Sequence, residues 1–485
     1  MLLPLTFSSM AIAQDDFQKI FEEFKKATEK EFADFRDKAN SDYSDFLRKN
    51  WESFEGHSPM VRPASTDPVI PPKTVPQEKL SEKLEERELT YDTVVLEPEQ
   101  APVPDPIENI IEPDVHVDVH HQFKFYGTDC DVRYDAAKHP LLTGRNKDAV
   151  ADYWDKLSSS VDVELLLYDI LELRKELALC DWAYYKLTEQ LSHSLYPDNK
   201  DEASVFQAYL LTQSGFRLRI GYSKLDEGLH FIIATECKLY EYPYWELDSG
   251  CYYLLDGSDV SSMSMVAADF EGSQPMRMAI TKENAFSDKL SEPRSLASEK
   301  YPDLGASVQV NVNLMDFYND YPQTVVNNDS KMRWRFYATV PISNKVKETL
   351  YPSLKAAIAG KTELEAVELL LNFVQTAFPY ENDDKLWGGD RVFYADECLY
   401  YPYCDCEDRS ILFSRIIRDL LGMDVVLIYY PGHLATAVKF NETVSGDYIS
   451  YKGSRYMVCD PTYINASVGM TMPDFDNSSA CVIVL

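Results

Sequence analysis

The sequence predicts a multidomain α+β chain in which the order helix, strand, strand, strand occurs near the C terminus and again in the middle. Three observations lead there. Hydrophobic residues make up 45% of the 485 residues and aromatics 13%, enough to bury more than one core despite 80 Asp and Glu against 47 Lys and Arg. Apolar residues repeat at i, i+4 and i+8 through Leu412, Ile416 and Leu420, beside Phe413, Ile417 and Leu421, and a β-rich run follows from Met423. A similar order returns between Ala203 and Asp256. The formal charge of -33 repels phosphate backbones, so no nucleic acid is expected as a partner.

Residues 1–13 carry no charge and end in Ala11-Ile12-Ala13, a small-x-small pattern that reads as a secretory signal peptide. Export to a periplasmic or extracellular space is the expectation, and no later stretch has the roughly 18 apolar residues of a membrane span. Residues 14–56 read as an amphipathic helix. Phe21 and Phe24, Phe32 and Phe35, Tyr43 and Phe46, and then Phe54 recur every eleven residues, and eleven residues close three helical turns, so the rings form one stripe. The stripe fits docking on the chain's own globule or on a copy of itself, and equally a partner protein held through residues 17–54. Residues 57–113 read as a Pro-rich linker, since 11 of the 26 prolines fall between 59 and 113. Residues 114–142 read as a small β segment whose His120 and His121 are surface residues rather than ligands.

The chemistry concentrates in residues 345–475. Thr362 and Glu365 form a capping box ahead of Leu364, Val367, Leu371 and Val374. Asp405-Cys406-Glu407-Asp408-Arg409-Ser410 opens the next helix, and Gly422 ends it. A strand follows to Tyr430, Pro431-Gly432 turns the chain, His433 opens a second strand, and a hairpin around Lys452-Gly453 leads to Asp460-Pro461. A thiol nucleophile needs thiolate character, a base and a group that orients the base. The helix start supplies the first to Cys406, His433 can supply the second and Asp460 the third.

These runs, D-C-E-D-R-S entering a helix, then P-G-H-L-A-T-A-V, then V-C-D-P-T-Y, resemble the core of the transglutaminase-like superfamily. The resemblance implies a papain-like fold with Cys406 as nucleophile, His433 as base and Asp460 as orienting acid. It covers roughly a quarter of the chain. Cys404 is the competing nucleophile, but it precedes the helix by two residues and loses the dipole. The spacing of Cys398, Cys404 and Cys406 fits none of the usual zinc patterns, and neither metal nor cofactor is expected. The amide of Cys406 and the side chain of Gln375 are the two candidate oxyanion donors.

In the middle, Gly215 matches Gly422, Gly228-Leu229-His230 is similar to Gly432-His433, and Asp256 matches Asp460, while counting back from Gly215 sets Asn199 against Cys406. Residues 143–260 therefore read as a degenerate second copy without the thiol. Residues 261–344, which alternate polar and apolar side chains at Ser307–Leu314 and Met332–Ala338, read as an antiparallel β module, and 476–485 as a C-terminal tail.

With Cys406 set aside, eight cysteines remain. Cys237 with Cys251 and Cys398 with Cys404 are the sequence-local disulfide guesses, and at most two bridges are expected. The resemblance implies acyl transfer through a Cys406 thioester from a protein or peptide substrate. Hydrolysis by a peptidase or amidase needs no amine site and is favoured over protein-crosslinking transamidation. A non-catalytic scaffold on the same fold is the competing class.

Overall fold

The computed structural model describes residues 35–49, 51–61, 70–80, 83–91, 95–96, 110–138, 140–325, 329–473, 475 and 479–485. The signal-peptide reading of residues 1–13 and the aromatic repeat up to Phe32 lie outside them. The protein is mixed α+β and is built around two antiparallel sheets, each with helices on one face. Among the described residues, no helix is long and apolar enough to cross a membrane.

The helix over 35–49 is docked on the globule. Leu47 is fully buried and Tyr43 nearly so; the Tyr43 ring lies 4.9 Å from that of Trp154. Asn40 accepts from Trp154 Nε1 at 3.0 Å and donates to Gln213 Oε1 at 3.0 Å. The expected single helix over 14–56 stops short, because Trp51–Glu55 alternates side chains and pairs antiparallel with Ser262–Val266. Phe54 therefore sits in a strand, opposite Met263.

The Pro-rich segment is not a free tether. Lys73–Thr74 pairs with Tyr463–Ile464, Arg87–Glu88 with Asp447–Tyr448, and Val95–Leu96 with Val482–Ile483. Proline forbids central ladders because it lacks an N–H, but two-residue pairings between prolines at sheet edges remain open. The tail expectation for 476–485 fails for a related reason: apolar Cys481–Val484 covers the edge of Val425–Tyr430 as a full strand.

The hairpin His120–Phe125 with Thr128–Arg133 forms as read, with His120 bonded to Asp131 and His121 to Ser194. Four helices follow: Lys147–Ser158, Val161–Glu176, Asp181–Leu195 and Lys200–Gln213. Within 261–344 the β expectation holds for Ser262–Val266 and the hairpin Arg294–Ala297 with Gly305–Val308. It fails at Val312–Asn319 and Met332–Thr339, both helices. Asn311 accepts from the Asn313 N–H and so caps a helix where alternation suggested a strand. Arg333, Trp334, Tyr337 and Ala338 are all buried, a spacing of three and four that only a helix places on one face.

The two main sheets share a topology. The middle sheet runs Ser262–Val266, Leu218–Ser223, Gly228–Ala234, Gly250–Tyr253, Tyr244–Leu247. The C-terminal sheet runs Cys481–Val484, Val425–Tyr430, His433–Lys439, Ser454–Cys459, Asp447–Tyr451. Ranked by chain order, both read fifth, first, second, fourth, third. Each first strand follows a buried helix, Lys200–Gln213 in one and Cys406–Leu421 in the other.

Candidate functional site

Cys406 is the first residue of the helix Cys406–Leu421. Asp405 caps that helix by accepting from the N–H groups of Glu407, at 3.0 Å, and Asp408, while Asp408 bonds back to the Asp405 N–H at 3.1 Å. Ser410 Oγ donates to Leu434 O at 2.9 Å and fastens the helix to the strand His433–Lys439. The Leu434 N–H and the Tyr380 side chain both interact electrostatically with the Cys406 thiol.

His433 opens that strand, and its Nε2 lies 2.9 Å from Asp460 Oδ2. The other oxygen of Asp460 accepts from the N–H groups of Thr462 and Tyr463 at 2.9 and 3.2 Å, which fixes the carboxylate's direction. With Nε2 donating, Nδ1 carries the basic lone pair, and it has no hydrogen-bond partner among the described residues. The structure thus joins His433 to Asp460, and sets Cys406 against the residue next to His433 without a sulfur–imidazole hydrogen bond. By strand alternation His433 shares a face with Ala435 and Ala437, away from the helix side where Leu434 points.

The site is closed. Cys406 and His433 are fully buried and Asp460 is 2% exposed. The Phe475 ring stacks on His433 at 4.8 Å with an interplanar angle of 4°. Burial, and then the Asp405 carboxyl, push the Cys406 thiol well above its ordinary range, against the pull of the Leu434 N–H. A thiol in this state is protonated and unreactive. The acidic first turn therefore opposes the dipole effect expected from the helix start.

Cys404 is buried as well, and burial pushes its thiol up to about 12, in the same direction as that of Cys406. Cys398 is buried too, donating to Asp408 O at 3.4 Å. The expected bridges are absent: Cys237 and Cys251, and Cys398 and Cys404, remain thiols. Gln375 is not an oxyanion donor. Its Nε2 donates both hydrogens, to Asp460 O and Ala466 O at 3.0 and 3.1 Å, so it holds the Asp460 loop instead.

Nothing around Tyr380 in the sequence singles it out. Its hydroxyl donates to the carbonyl of Ile70 at 3.3 Å, and its side chain interacts electrostatically with Cys406. Arg409 holds it there: the buried guanidinium lies 5.3 Å from the Tyr380 ring centre and donates to Gln375 O and Phe378 O, at 3.0 and 2.5 Å. The only sequence signal is Phe378-Pro379-Tyr380 ending a helix that leads to the cysteine.

Two groups of buried carboxyls, Asp383 with Asp390 and Glu407, and Asp405 with Glu407 and Asp408, are the residues with the donor set for a cation. Arg333 already sets a guanidinium 2.6 Å from Asp390. Burial raises Asp405, Glu407 and Asp408 well above the usual carboxyl range.

The middle unit repeats the arrangement with different chemistry. His230 Nδ1 lies 2.6 Å from Asp256 and Nε2 2.9 Å from Asp226. The Leu229 N–H, at the place of Leu434 counted from each strand start, donates to Asp201 Oδ1 at 2.7 Å. A carboxylate paired with Arg145 thus takes the bond from this N–H, where in the other unit the corresponding N–H acts on a thiol. Asn199, set against Cys406 by counting, is the helix cap and accepts from the Glu202 N–H, because this helix has 14 residues against 16. His230 also sits one pleat deeper than His433. Continuing the ladders from Tyr253↔Ile233 and Cys459↔Thr436 sets Asp256 opposite His230 but Asp460 opposite Ala435.

Comparison of the chain with protein-family models, curated proteins and solved structures gives no match.

Proposed function

We propose that the chain is a cysteine hydrolase of the transglutaminase-like type, a peptidase or amidase that acts through a thioester at Cys406 and is latent in the form described. The observation that carries this reading is the state of His433: Nε2 is held by Asp460 and Nδ1 has no hydrogen-bond partner among the described residues, one residue from the N–H that acts on the Cys406 thiol. An imidazole fixed in this tautomer is prepared to take a thiol proton at Nδ1. His433 faces away from the helix side in the form described, so its imidazole has to turn toward the sulfur, and thiolate and imidazolium then form together. Attack on a substrate carbonyl then places negative charge on its oxygen, for which the Cys406 N–H, the helix-start group that the Asp405 side chain does not take up, is the proposed donor. The imidazolium returns its proton to the leaving amine, and water completes the cycle. Export remains part of the proposal, on the strength of residues 1–13.

Labelling with a thiol-directed electrophile, resolved by residue, tests this in wild type and in Cys406→Ala, His433→Ala and Cys404→Ala. Modification at Cys406 should depend on His433 and not on Cys404. Incubating wild type and Cys406→Ala with a protein extract, and comparing new peptide ends with new crosslinks, separates hydrolysis from transamidation.

The burial and protonation of Cys406 favour a second reading, in which both units are non-catalytic scaffolds. Under it, His433→Ala leaves the labelling unchanged.

A further inference from the structure

The chain's own residues 70–75 lie across the site. The Ile70 N–H donates to Gly432 O at 3.1 Å, immediately before His433. The Ile70 carbonyl accepts from the Tyr380 hydroxyl at 3.3 Å, and the Tyr380 side chain interacts electrostatically with Cys406. Lys73–Thr74 then run parallel to Tyr463–Ile464, the Val75 N–H donates to Ile464 O at 3.0 Å, and Lys73 Nζ donates to Pro473 O at 3.2 Å. Ile70 and Val75 share an apolar cluster with Tyr463, Ala466, Met472 and Phe475, the ring stacked on His433. One strap therefore touches a neighbour of each of Cys406, His433 and Asp460. Beyond it a groove of about 780 Å³ continues along Tyr463, Met472 and Phe475 toward Arg87.

We propose that the groove the strap fills, between Tyr380, Gly432 and the Tyr463–Ile464 edge, is an extended-peptide binding site and that residues 70–75 are its resident pseudosubstrate. The ligand class is an apolar, proline-containing peptide with β-branched side chains at its two anchor positions, where Ile70 and Val75 sit. Recognition runs mostly through main-chain hydrogen bonds, the manner in which a sheet edge takes up an added strand. Pro71 and Pro72 fix the strap in an extended form and reduce the entropy lost on docking. The carbonyl that Tyr380 holds belongs to the Ile70–Pro71 bond, a tertiary amide with no N–H to present. The ladder is only two residues long, so the strap can exchange with a peptide in trans. The claim that this exchange controls activity rests on the reading of Cys406 as a nucleophile; the claim that the groove binds such peptides does not.

The test is the rate of iodoacetamide alkylation at each cysteine of the full chain, read by mass spectrometry. In Ile70→Glu/Val75→Glu the rate at Cys406 should rise at least tenfold while the other cysteines keep theirs. The free peptide Val-Ile-Pro-Pro-Lys-Thr-Val, matching residues 69–75, should return it toward the wild-type rate, and a scrambled peptide should not. An unchanged rate at Cys406, or no protection by the peptide, overturns the proposal. Should the double variant expose every thiol, which marks unfolding, Ile70→Ala is read by the same criteria. Adding His433→Ala separates the two claims: the peptide still protects if the groove is real, whether or not His433 governs the thiol.

Discussion

His433 and Asp460 are fastened by a 2.9 Å bond between Nε2 and Oδ2, and Nδ1 of the imidazole has no hydrogen-bond partner among the described residues. The bond commits the ring's proton to the carboxylate side. The nitrogen that remains is the basic one.

Asp460→Asn tests that assignment. The amide keeps an oxygen for the Thr462 and Tyr463 N–H groups, so the loop should hold and the melting temperature should move by no more than a few degrees. Its NH2 faces Nε2 and favours the other tautomer. Acylation or alkylation at Cys406 should fall by roughly 10²-fold or more. Paired measurements of melting and labelling rate on one preparation check both halves.

Much of the site is legible in the sequence because its signals are local. The capping box at Thr362, the left-handed Gly422 and the turn at Lys452-Gly453, with both residues at positive φ, follow from short-range chemistry. The pairing of His with Asp in both units is legible from order and spacing. The strap at 70–75, the strand Cys481–Val484 and the role of Tyr380 are not. Two-residue pairings between distant segments leave no periodicity, and a strand that completes a sheet edge looks in sequence like any short apolar run. At Met332–Thr339 the pattern misleads, because alternation over so few residues satisfies a strand and a tightly packed helix alike.

The docked helix over 35–49 makes a sharp contrast between neighbours. Leu47 is fully buried, whereas Phe46 is 45% exposed. Leu47→Ala should cost about 2–5 kcal/mol, and Phe46→Ala should stay within about 0.5 kcal/mol. Denaturant unfolding of the full chain distinguishes this from a tethered helix, for which neither change would register.

His230 carries a pH dependence. Burial opposes its charge, but the bonds to Asp256 and then Asp226 outweigh it and raise its pKa. A histidine raised in this way stabilises the fold fully below its ordinary value of about 6.5, and the contribution is lost as pH rises through the folded value. Burial likewise opposes charge on Asp256 and Asp226, but the contacts with His230 win and lower both, so their share is lost only as pH falls through those lowered values. The melting temperature of His230→Gln should therefore lie further below wild type at about pH 6 than at about pH 9. Equal gaps at the two pH values would contradict the ion-pair account.

Asp383 acts in the opposite sense. Burial raises its carboxyl to about 7, so folding loses stability as pH rises from the ordinary carboxylate range through that value. Asn at this position keeps an acceptor for the Arg391 N–H, 2.7 Å away. Asp383→Asn should stabilise by on the order of 1 kcal/mol at about pH 8, since a tenfold change in proton affinity is worth about 1.4 kcal/mol, and by much less at about pH 4. Unfolding curves at the two pH values check the sign.

The most direct measurement of the central claim is the alkylation rate of Cys406 at mildly acidic pH, resolved from the other cysteines, in Ile70→Glu/Val75→Glu with and without His433→Ala. If a thiolate–imidazolium pair forms once the strap is displaced, Cys406 reacts fastest of the cysteines and loses at least tenfold in rate without His433. If Cys406 reacts no faster than Cys398 or Cys404, or at the same rate with and without His433, the cysteine is a buried structural thiol and the hydrolase reading is wrong.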